Sequence, residues 1–345
     1  MIFSDTMTHY VAVIGAGAIG LSTAVQVQEL DRSARVTVIA DKFEQDTVSD
    51  GAAGLFRPTV DYIPGVPRDI LKKWSQDSWS FYSGLAHSEE ASKAGVGIVS
   101  GYQFFSKGKE EKDPLHREIT YHCRDLQGKD FNIFPGTQKC SSGMFSTTLI
   151  VESRWFLPWL MKRFVKNGGL VEKRTVSSFR ELARKYNVIV NCSGGRAKEL
   201  TDDNKLEIIR GQMIRVKAPW IKHFMYVDHN CWIIPGKETV TIGGTRQVGD
   251  TREEISAQDS HDVWERACTY MPSLRKAVWQ WQWVGMRPVR EPIRVERERL
   301  QFGEKTIMVV HNYGHGGNGI SLAWGCGKHA ARLVHETLVQ QNSKL

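Results

Sequence analysis

Several common functional patterns are missing from this 345-residue chain. None of its six cysteines forms a Cys-x-x-Cys pair, so neither a zinc site nor a redox-active dithiol is predicted. No other metal site is predicted either. No apolar run approaches the roughly 20 residues of a membrane span. The first ten residues lack the basic region and apolar core of a signal peptide. These absences favour an intracellular protein with reduced thiols and no membrane partner.

The positive charge is moderate and spread along the chain. The formal net charge is +8, but no basic block with interleaved aromatic residues occurs, so nucleic-acid binding is not predicted. The densest charged stretch, residues 287–300, contains alternating Glu and Arg, which is typical of a solvated, ion-paired surface. The excess charge instead favours the attraction of small anions. The sequence does not indicate an oligomeric state.

A dinucleotide-binding pattern lies near the N-terminus. An apolar, β-branched run at residues 10–14 is typical of a buried parallel strand. The sequence Gly-Ala-Gly-Ala-Ile-Gly follows at 15–20, then a segment with helical apolar spacing. A second β run at 34–40 ends just before Asp41. Strand, G-x-G-x-x-G, helix, strand and acid in this order predict a dinucleotide site.

Each glycine of the pattern has a separate physical task. Gly15 permits a tight turn, Gly17 lets the backbone approach a pyrophosphate, and Gly20 lets the helix pack closely. The helix N-terminus supplies N–H donors and positive potential to the phosphates. Asp41 is placed to accept hydrogen bonds from the adenosine ribose. The pattern alone does not distinguish FAD from NAD.

Two later segments repeat the arrangement of a β run that enters a glycine-rich loop. They are residues 186–195, "YNVIVNCSGG", and residues 306–334, where we expect a helix to begin near Ile320. Residues 231–247 combine two alternating apolar runs with a turn, which predicts a hairpin. The chain therefore predicts an α/β fold, with a Rossmann-like nucleotide-binding domain interleaved with a second, mixed-sheet substrate domain. The first domain comprises residues 1–60, 146–205 and 296–345, and the second comprises 61–145 and 206–295.

The sequence resembles the D-amino-acid oxidase and D-aspartate oxidase family over nearly its whole length. The resemblance rests on "VIGAGAIGLSTA", "DKFEQDTVSDGAAGLFRP", "NVIVNCSGG", "RGQMIRVKAPW", "IIPGKETVTIGGTRQ", "GMRPVR" and "HNYGHGGNGISLAWG". It implies a flavin oxidase with FAD as cofactor. It further implies oxidation of a D-amino acid by hydride transfer from its α-carbon to flavin N5. The expected products are a 2-oxo acid, ammonia and hydrogen peroxide.

The resemblance also implies which residues contact FAD. Around the pyrophosphate and phosphates they are Gly15, Ala16, Gly17, Ala18, Ile19, Gly20, Thr47, Val48 and Ser49. Toward the adenosine they are Asp41, Lys42 and the run from Val188 to Ser193. Along the flavin they are Ala53, Gly54, Leu55, Gly316, Gly317, Gly319, Ile320 and Ser321.

Substrate contacts follow from the same resemblance. Arg287 in "GMRPVR" matches the arginine that holds the α-carboxylate, where a guanidinium fork pairs bidentately. The carbonyl of Gly317 matches the acceptor for the substrate amino group. Arg246 in "GGTRQ" resembles the D-aspartate branch, in which it faces the side-chain carboxylate. His311 and His315 are not predicted to act as bases, because no side chain takes the α-proton in this family.

The chain departs from the D-aspartate branch at three positions. That branch has an arginine in the segment occupied here by Met225 and Tyr226, a histidine in place of Thr59, and a tyrosine in place of Trp232. Arg57 is a candidate substitute for one of the missing side chains. Trp232 is interpreted as a pocket wall and Tyr226 as a pocket hydroxyl. Acidic D-amino acids are therefore the predicted substrates, with a neutral or broad range as the alternative.

Two other interpretations stay open at this point. An NAD-dependent dehydrogenase would lack a flavin spectrum, and a catalytically silent FAD-binding protein would release no peroxide from any D-amino acid.

The sequence ends in Ser343-Lys344-Leu345, which matches the tripeptide recognised by the peroxisomal import receptor. A location in the peroxisomal matrix suits an oxidase because peroxide is removed there.

Overall fold

The computed structural model describes residues 8–108 and 110–343. The predicted strand–helix–strand unit is present as β1 (His9–Ile14), α1 (Ala18–Leu30) and β2 (Ala34–Ala40). Within the described ranges, no helix combines the length and the apolarity that crossing a bilayer requires.

The other helices and strands, apart from short 3-10 turns, follow in chain order. They are α2 (Arg68–Ala86), α3 (Ala91–Ala94), β3 (Val96–Phe105), β4 (His122–Asp125), β5 (Ser142–Val151), α4 (Ser153–Lys166), β6 (Leu170–Lys173), β7 (Val188–Asn191), α5 (Ala197–Thr201), β8 (Leu206–Lys217), β9 (Phe224–Val227), β10 (Cys231–Pro235), β11 (Val240–Gly243), β12 (Gln247–Val248), α6 (Ala257–Tyr270), β13 (Val278–Phe302), β14 (Lys305–His315) and α7 (Gly319–Asn342).

One half of the sheet is parallel, in the order β14-β7-β1-β2-β6. Its strands are buried on both faces, so the apolar residues form continuous runs. Val11 and Val13 face the core formed with α1 and α7, whereas Ala12 and Ile14 face a second core on the opposite side. The carboxyl ends of the strands therefore meet at one edge, beside the N-termini of both helices.

The other half of the sheet is mainly antiparallel, in the order β4-β5-β3-β9-β10-β11-β8, and packs over α6. The predicted hairpin at 231–247 is present as β10 and β11. The long strand β13 joins the two halves, pairing with β8 through residues 278–290 and with β14 through 289–302. Its register shifts between Val289 and Arg294, where Pro292 has no N–H to donate to a ladder.

These observations confirm the predicted fold class, a Rossmann-like parallel unit joined to a second mixed sheet. The division at particular residues stays a prediction. Helix α2 lies in the stretch assigned to the second domain, yet Leu71, Trp74 and Tyr82 are buried in the core that contains α1 and α7. The packing thus places α2 with the parallel half.

Candidate active site

The turn between β1 and α1 is closed too tightly for any side chain. An added Cβ at Gly15 would lie 2.3 Å from the carbonyl oxygen of Cys192, and one at Gly20 would lie 1.9 Å from the oxygen of Gly15. Gly15 also has a φ of +105°, which favours glycine. At Gly17 the same atom would lie 2.9 Å from the Ser49 hydroxyl oxygen. The geometry fits the three tasks predicted for these glycines.

Ser49 lies at the N-terminus of α1. Its hydroxyl oxygen accepts a hydrogen bond of 3.1 Å from the N–H of Ala18, the first residue of the helix. The loop that carries Ser49 is therefore held against the glycine turn and its neighbours Ala16 and Ile19. In the same loop, the hydroxyl of Thr47 donates to the carbonyl of Glu44 at 2.7 Å, and the Val48 side chain is 44% exposed.

A small cavity lies beyond the carboxyl ends of β1 and β2. The residues that line it include Gly15, Asp41, Val176, Ser193 and Arg196. Arg196 donates to Asp41 at 3.4 Å, and both side chains are more than one-third exposed. The side chain of Ser193 is held in place because its hydroxyl donates to the side-chain oxygen of Asn191 at 2.6 Å. Lys42 follows Asp41 directly and is exposed.

The structure does not bring Val188 to this cavity. Val188 lies in the interior of the parallel sheet, pairs with Val11 and Met308, and is 0% exposed. It precedes Asn191 by three residues, which places it about 10 Å from the edge at the usual rise of a strand. Val176, from the connection between β6 and β7, lines the cavity instead.

The segment after Ser49 runs from the glycine turn toward the antiparallel half. Gly54 has a φ of +77°, and an added Cβ there would lie 2.0 Å from the carbonyl oxygen of Val151. Ala53 and Leu55 pack in one small apolar cluster. The carbonyl of Leu55 accepts a 3.3 Å hydrogen bond from the hydroxyl of Ser321 in the first turn of α7. These contacts join two of the predicted cofactor segments.

The glycine loop before α7 turns sharply beside β13. Gly316 has a φ of +54°, and its nearest side-chain atom belongs to Val289. An added Cβ at Gly317 would meet no described atom within 4 Å, so its backbone faces open space, and at Gly319 the only such atom lies 4.0 Å away. The carbonyl of Ile320 accepts a hydrogen bond of 2.8 Å from the Tyr82 hydroxyl, which anchors the helix start to α2.

Arg287 lies two residues before Val289 on β13 and therefore on the same face of the strand. Its guanidinium group lies directly over the backbone of Gly211 on β8, where an added Cβ would be 2.0 Å from Nη1. Nη1 donates to the carbonyl of Thr245 at 3.3 Å. Burial and the nearby Arg246 lower the pKa of Arg287 to about 10, so it stays protonated at neutral pH.

Arg246 follows Thr245 in a loop that is fixed on both sides of it. The N–H of Gln212 donates to the Thr245 hydroxyl at 2.8 Å. The side-chain oxygen of Gln247 accepts a 2.6 Å hydrogen bond from Arg210, which is 0% exposed. Arg246 itself is exposed, and no hydrogen bond or ion pair joins it to another described residue.

Two stacked aromatic side chains form the wall of the candidate substrate pocket next to this loop. The rings of Trp232 and Tyr226, paired across β10 and β9, are 6.1 Å apart and nearly parallel. The Trp232 ring covers Gly243 and Gly244, where a side chain would overlap it. The guanidinium carbon of Arg57 lies 4.6 Å from the centre of the Tyr226 ring. Burial raises the pKa of the Tyr226 hydroxyl, so it stays protonated at neutral pH.

Comparison with known proteins identifies the family. Residues 10–333 match the model of the FAD dependent oxidoreductase family. The chain is 38% identical to the D-aspartate oxidase of Homo sapiens, with 95% of each covered, and 35% identical to D-aspartate oxidase 1 of Caenorhabditis elegans, with 98% and 100% covered. The chain belongs to this family. Its fold resembles that of the glycine oxidase from Geobacillus kaustophilus, with a TM-score of 0.77, 21% identity and 95% of each chain covered.

FAD is therefore the cofactor, and the residues of the glycine turn fit it. The turn that would receive the pyrophosphate can close only because Gly15, Gly17 and Gly20 have no side chains. Asp41 lines the cavity where the ribose would be held. The loop around Gly317 lies toward Arg287, which is where a flavin ring would meet a substrate. The role of each residue toward FAD stays a prediction.

The two histidines of β14, the strand that leads into this glycine loop, are neutral. Burial lowers the pKa of His315 to about 3. Burial and the charge of Arg294 lower the pKa of His311 to about 4, although His311 contacts Glu298 at 2.9 Å. His311 also contacts Asn191, the residue beneath Ser193, at 3.3 Å. These contacts indicate a structural role, in which His311 holds Asn191 and, through it, Ser193 beside the predicted FAD site.

Three residues of the site carry no clear sequence signal. Gly211 forms the surface under Arg287, Tyr62 lies beside Arg57, and Glu111 forms an ion pair with Arg57. Glu111 follows Arg57 by 54 residues, a separation that no local sequence pattern relates. Only the folded chain brings these side chains to the pocket.

Replacing Gly211 with alanine is expected to raise the KM for D-amino acids by about tenfold or more, while FAD stays bound. The new Cβ would occupy the position of the Arg287 guanidinium, which can move aside only by losing its alignment. The measurement is steady-state peroxide release together with the flavin absorbance of the purified protein.

Gly84→Ala provides the matched control for this glycine. Gly84 lies inside α2, and an added Cβ there meets no described atom within 4 Å. Alanine in a helix interior is expected to stabilise the fold slightly and to leave KM unchanged. An unchanged KM in Gly211→Ala would show that Arg287 does not depend on this surface.

Proposed function

We propose that the protein is an FAD-dependent oxidase of D-amino acids that prefers D-aspartate and D-glutamate. Its products would be the 2-oxo acid, ammonia and hydrogen peroxide. The observation that carries the proposal is the adjacent pair of guanidinium groups, Arg287 and Arg246. Nη1 of the half-buried Arg287 donates to the carbonyl of Thr245, the residue directly before Arg246, and the charge of Arg246 lowers the pKa of Arg287. Two neighbouring cations fit a substrate with two carboxylates.

Arg287 would hold the α-carboxylate. Its fork is flat against Gly211, and its bond to the Thr245 carbonyl uses only one of five N–H donors. The remaining donors are free to pair bidentately with a carboxylate, which fixes the orientation of the α-carbon. Partial desolvation strengthens this pairing, because Arg287 is half-buried in the folded chain.

The Gly317 carbonyl would accept a hydrogen bond from the substrate amino group. The space beside Gly317 is open where a Cβ would lie, and at the preceding Gly316 an added Cβ would lie 2.9 Å from Val289 on the strand of Arg287. An amine held this way must be neutral for its lone pair to assist oxidation. No protein base is required at the α-carbon, which agrees with the neutral, buried His315.

When bound, FAD supplies the acceptor for the hydride that leaves the α-carbon, and its reoxidation by dioxygen accounts for the peroxide. The chain contributes binding, orientation and electrostatics.

Arg246 would pair with the side-chain carboxylate. Because Arg246 is exposed, water hydrates it when a neutral side chain is bound, so it favours acidic substrates by attraction rather than by penalising neutral ones. The 38% identical protein named D-aspartate oxidase and the 35% identical one support the same assignment.

A D-amino-acid oxidase of broader range is the second candidate. Two observations favour it: the charge of Arg57 is already paired with Glu111, and Trp232 and Tyr226 form an aromatic wall. A relative from Dugesia ryukyuensis, 32% identical, is named D-amino acid oxidase.

Peroxide release from D-aspartate, D-glutamate, D-alanine and D-arginine separates the two candidates. The proposal expects the largest kcat/KM for the two acids. Comparable values for D-alanine would favour the broader oxidase, and no peroxide from any of the four would refute both.

The peroxisomal location and the import receptor stay predictions. Ser343 is exposed at the end of α7, while Lys344 and Leu345 lie outside the described residues.

A further inference from the structure

A buried negative charge, the carboxylate of Glu111, lies in the pocket together with the positively charged arginines. The side chain of Glu111 is 1% exposed, and its Oε1 forms an ion pair with Nη1 of Arg57. Arg57 in turn lies over Tyr226, at 4.6 Å, and near Tyr62, at 5.9 Å from the ring centre. The pair therefore forms the part of the pocket wall next to the aromatic stack.

The backbone around Glu111 is tied to the segment that carries Arg57. The Thr59 hydroxyl donates to the carbonyl of Asp113 at 3.0 Å. The N–H of Lys112 donates to the carboxylate of Asp61 at 2.7 Å. Both neighbours of Glu111 on its C-terminal side are thus bonded to residues just after Arg57, so the carboxylate is held opposite the guanidinium group.

Arg57 is the cation that compensates this carboxylate. Burial works against the charge of Arg57, but Glu111, Tyr226 and Tyr62 together raise the pKa of Arg57 above its usual value. His116 lies 3.9 Å from Oε2 and is neutral, because burial and Arg57 lower its pKa to about 3. His229 lies 4.0 Å from Oε1 and would add a charge only when protonated.

One oxygen of Glu111 is left without a hydrogen bond. Oε2 is buried and has no partner among residues 8–108 and 110–343. An isolated buried carboxylate is costly, and it is also a strong acceptor for any cation that reaches it. Arg57 occupies that role in the folded chain.

We infer that Glu111 is a specificity-determining residue of the pocket and that it acts through Arg57. It cancels the charge of Arg57 and fixes the guanidinium group against Tyr226, so that side-chain selection is left to Arg246. Arg57 in turn covers Glu111 and keeps cationic D-amino acids from pairing with it. This inference rests on the proposed function, since it assigns the part of the same site that reads the substrate side chain.

Two single substitutions should act in opposite directions. Glu111→Gln keeps the shape but frees the charge of Arg57, so the ratio of kcat/KM for D-aspartate over D-alanine should rise by about tenfold. Arg57→Met leaves the carboxylate of Glu111 uncovered, so the same ratio should fall by about tenfold and D-lysine should become a substrate. The measurement is peroxide release by each FAD-bound variant.

The double variant Arg57→Met/Glu111→Gln removes both charges together. Its D-aspartate to D-alanine ratio should lie within about twofold of the wild-type ratio, because a neutral pair replaces a neutral pair. This variant keeps the inference testable even if a single substitution prevents folding, since removing both partners of a buried pair leaves no isolated charge.

Asp203→Asn serves as a matched control. Asp203 forms a similarly buried ion pair with Arg290, at 2.5 Å. Arg290 lies three residues after Arg287 on β13, so its side chain lies on the opposite face of the strand. Loss of the ion pair should lower the melting temperature without changing the substrate ratio.

Equal ratios in all variants, or shifts of both single variants in the same direction, would overturn the inference. A double variant with an altered ratio would also overturn it.

Arg246→Ala, measured in parallel, separates this inference from the proposed function. If that variant keeps full preference for D-aspartate, the proposed acid selection fails. If it loses the preference while Glu111→Gln changes nothing, only the role of Glu111 fails.

Discussion

Arg287→Leu is expected to lower kcat/KM for every D-amino acid by about 10²- to 10⁴-fold while FAD stays bound. A bidentate pair with a carboxylate contains two charge-assisted hydrogen bonds, each contributing about 1.5–3 kcal/mol. Leucine offers neither and leaves the α-carbon without a fixed orientation. The loss should be the same for acidic and neutral substrates, because all of them share the α-carboxylate. Peroxide release and flavin absorbance of the purified variant provide the measurement.

Two further variants serve as controls for Arg287→Leu. Arg287→Lys keeps the charge but not the fork, so it should recover only part of the activity. Arg299→Leu removes an exposed arginine near the far end of the same strand and should leave both activity and flavin content unchanged. Near-normal turnover by Arg287→Leu would remove Arg287 from the substrate site.

Local sequence patterns were sufficient to predict the nucleotide-binding unit. Each step of β1, α1 and β2 has its own signal: a β-branched run, three spaced glycines, helical spacing and an acid after the second strand. These signals agree because the turn can close only where Gly15 and Gly20 lack side chains. The structure confirms both strands within one residue of the predicted bounds, and α1 begins at Ala18, three residues before the predicted helical segment.

Contacts between distant segments were not predictable in the same way. The family resemblance assigned Val188 to the adenosine side of FAD, and the structure places it inside the parallel sheet, three residues before the strand end at Asn191. Its role toward FAD stays a prediction. Val176 comes from a connection without regular pattern, and it reaches the cavity because of tertiary packing.

Contacts between distant segments of the substrate pocket were also not predictable from local sequence patterns. Arg287 and Arg246 were identified through a family resemblance, whereas Glu111 lies in an irregular segment between β3 and β4. A lone glutamate in such a segment is usually solvated, and nothing in its neighbours reveals that it is 1% exposed and paired with Arg57. The sequence therefore predicted three arginines in the pocket but not that one of them is neutralised.

Arg246→Ala is expected to reduce kcat/KM for D-aspartate by roughly 10- to 100-fold and that for D-alanine by no more than about threefold. The guanidinium group of Arg246 forms no hydrogen bond or ion pair with the described part of the chain, and its loop is held by Thr245 and Gln247. The melting temperature should therefore stay the same. Removing its charge should also raise the pKa of Arg287, which leaves the α-carboxylate contact intact. Kinetics on both substrates and thermal unfolding are the measurements.

The comparison between the two substrates decides the role of Arg246. Arg246→Lys retains a point charge without the fork, so D-aspartate turnover should be intermediate between alanine and wild type. Raising the ionic strength should weaken D-aspartate binding in the wild type more than in Arg246→Ala, because Arg246 is exposed and its charge is screened. Equal losses on D-aspartate and D-alanine would mean that Arg246 shapes the pocket without reading the side chain, and acid selection would then have to come from Arg57 despite its pairing with Glu111.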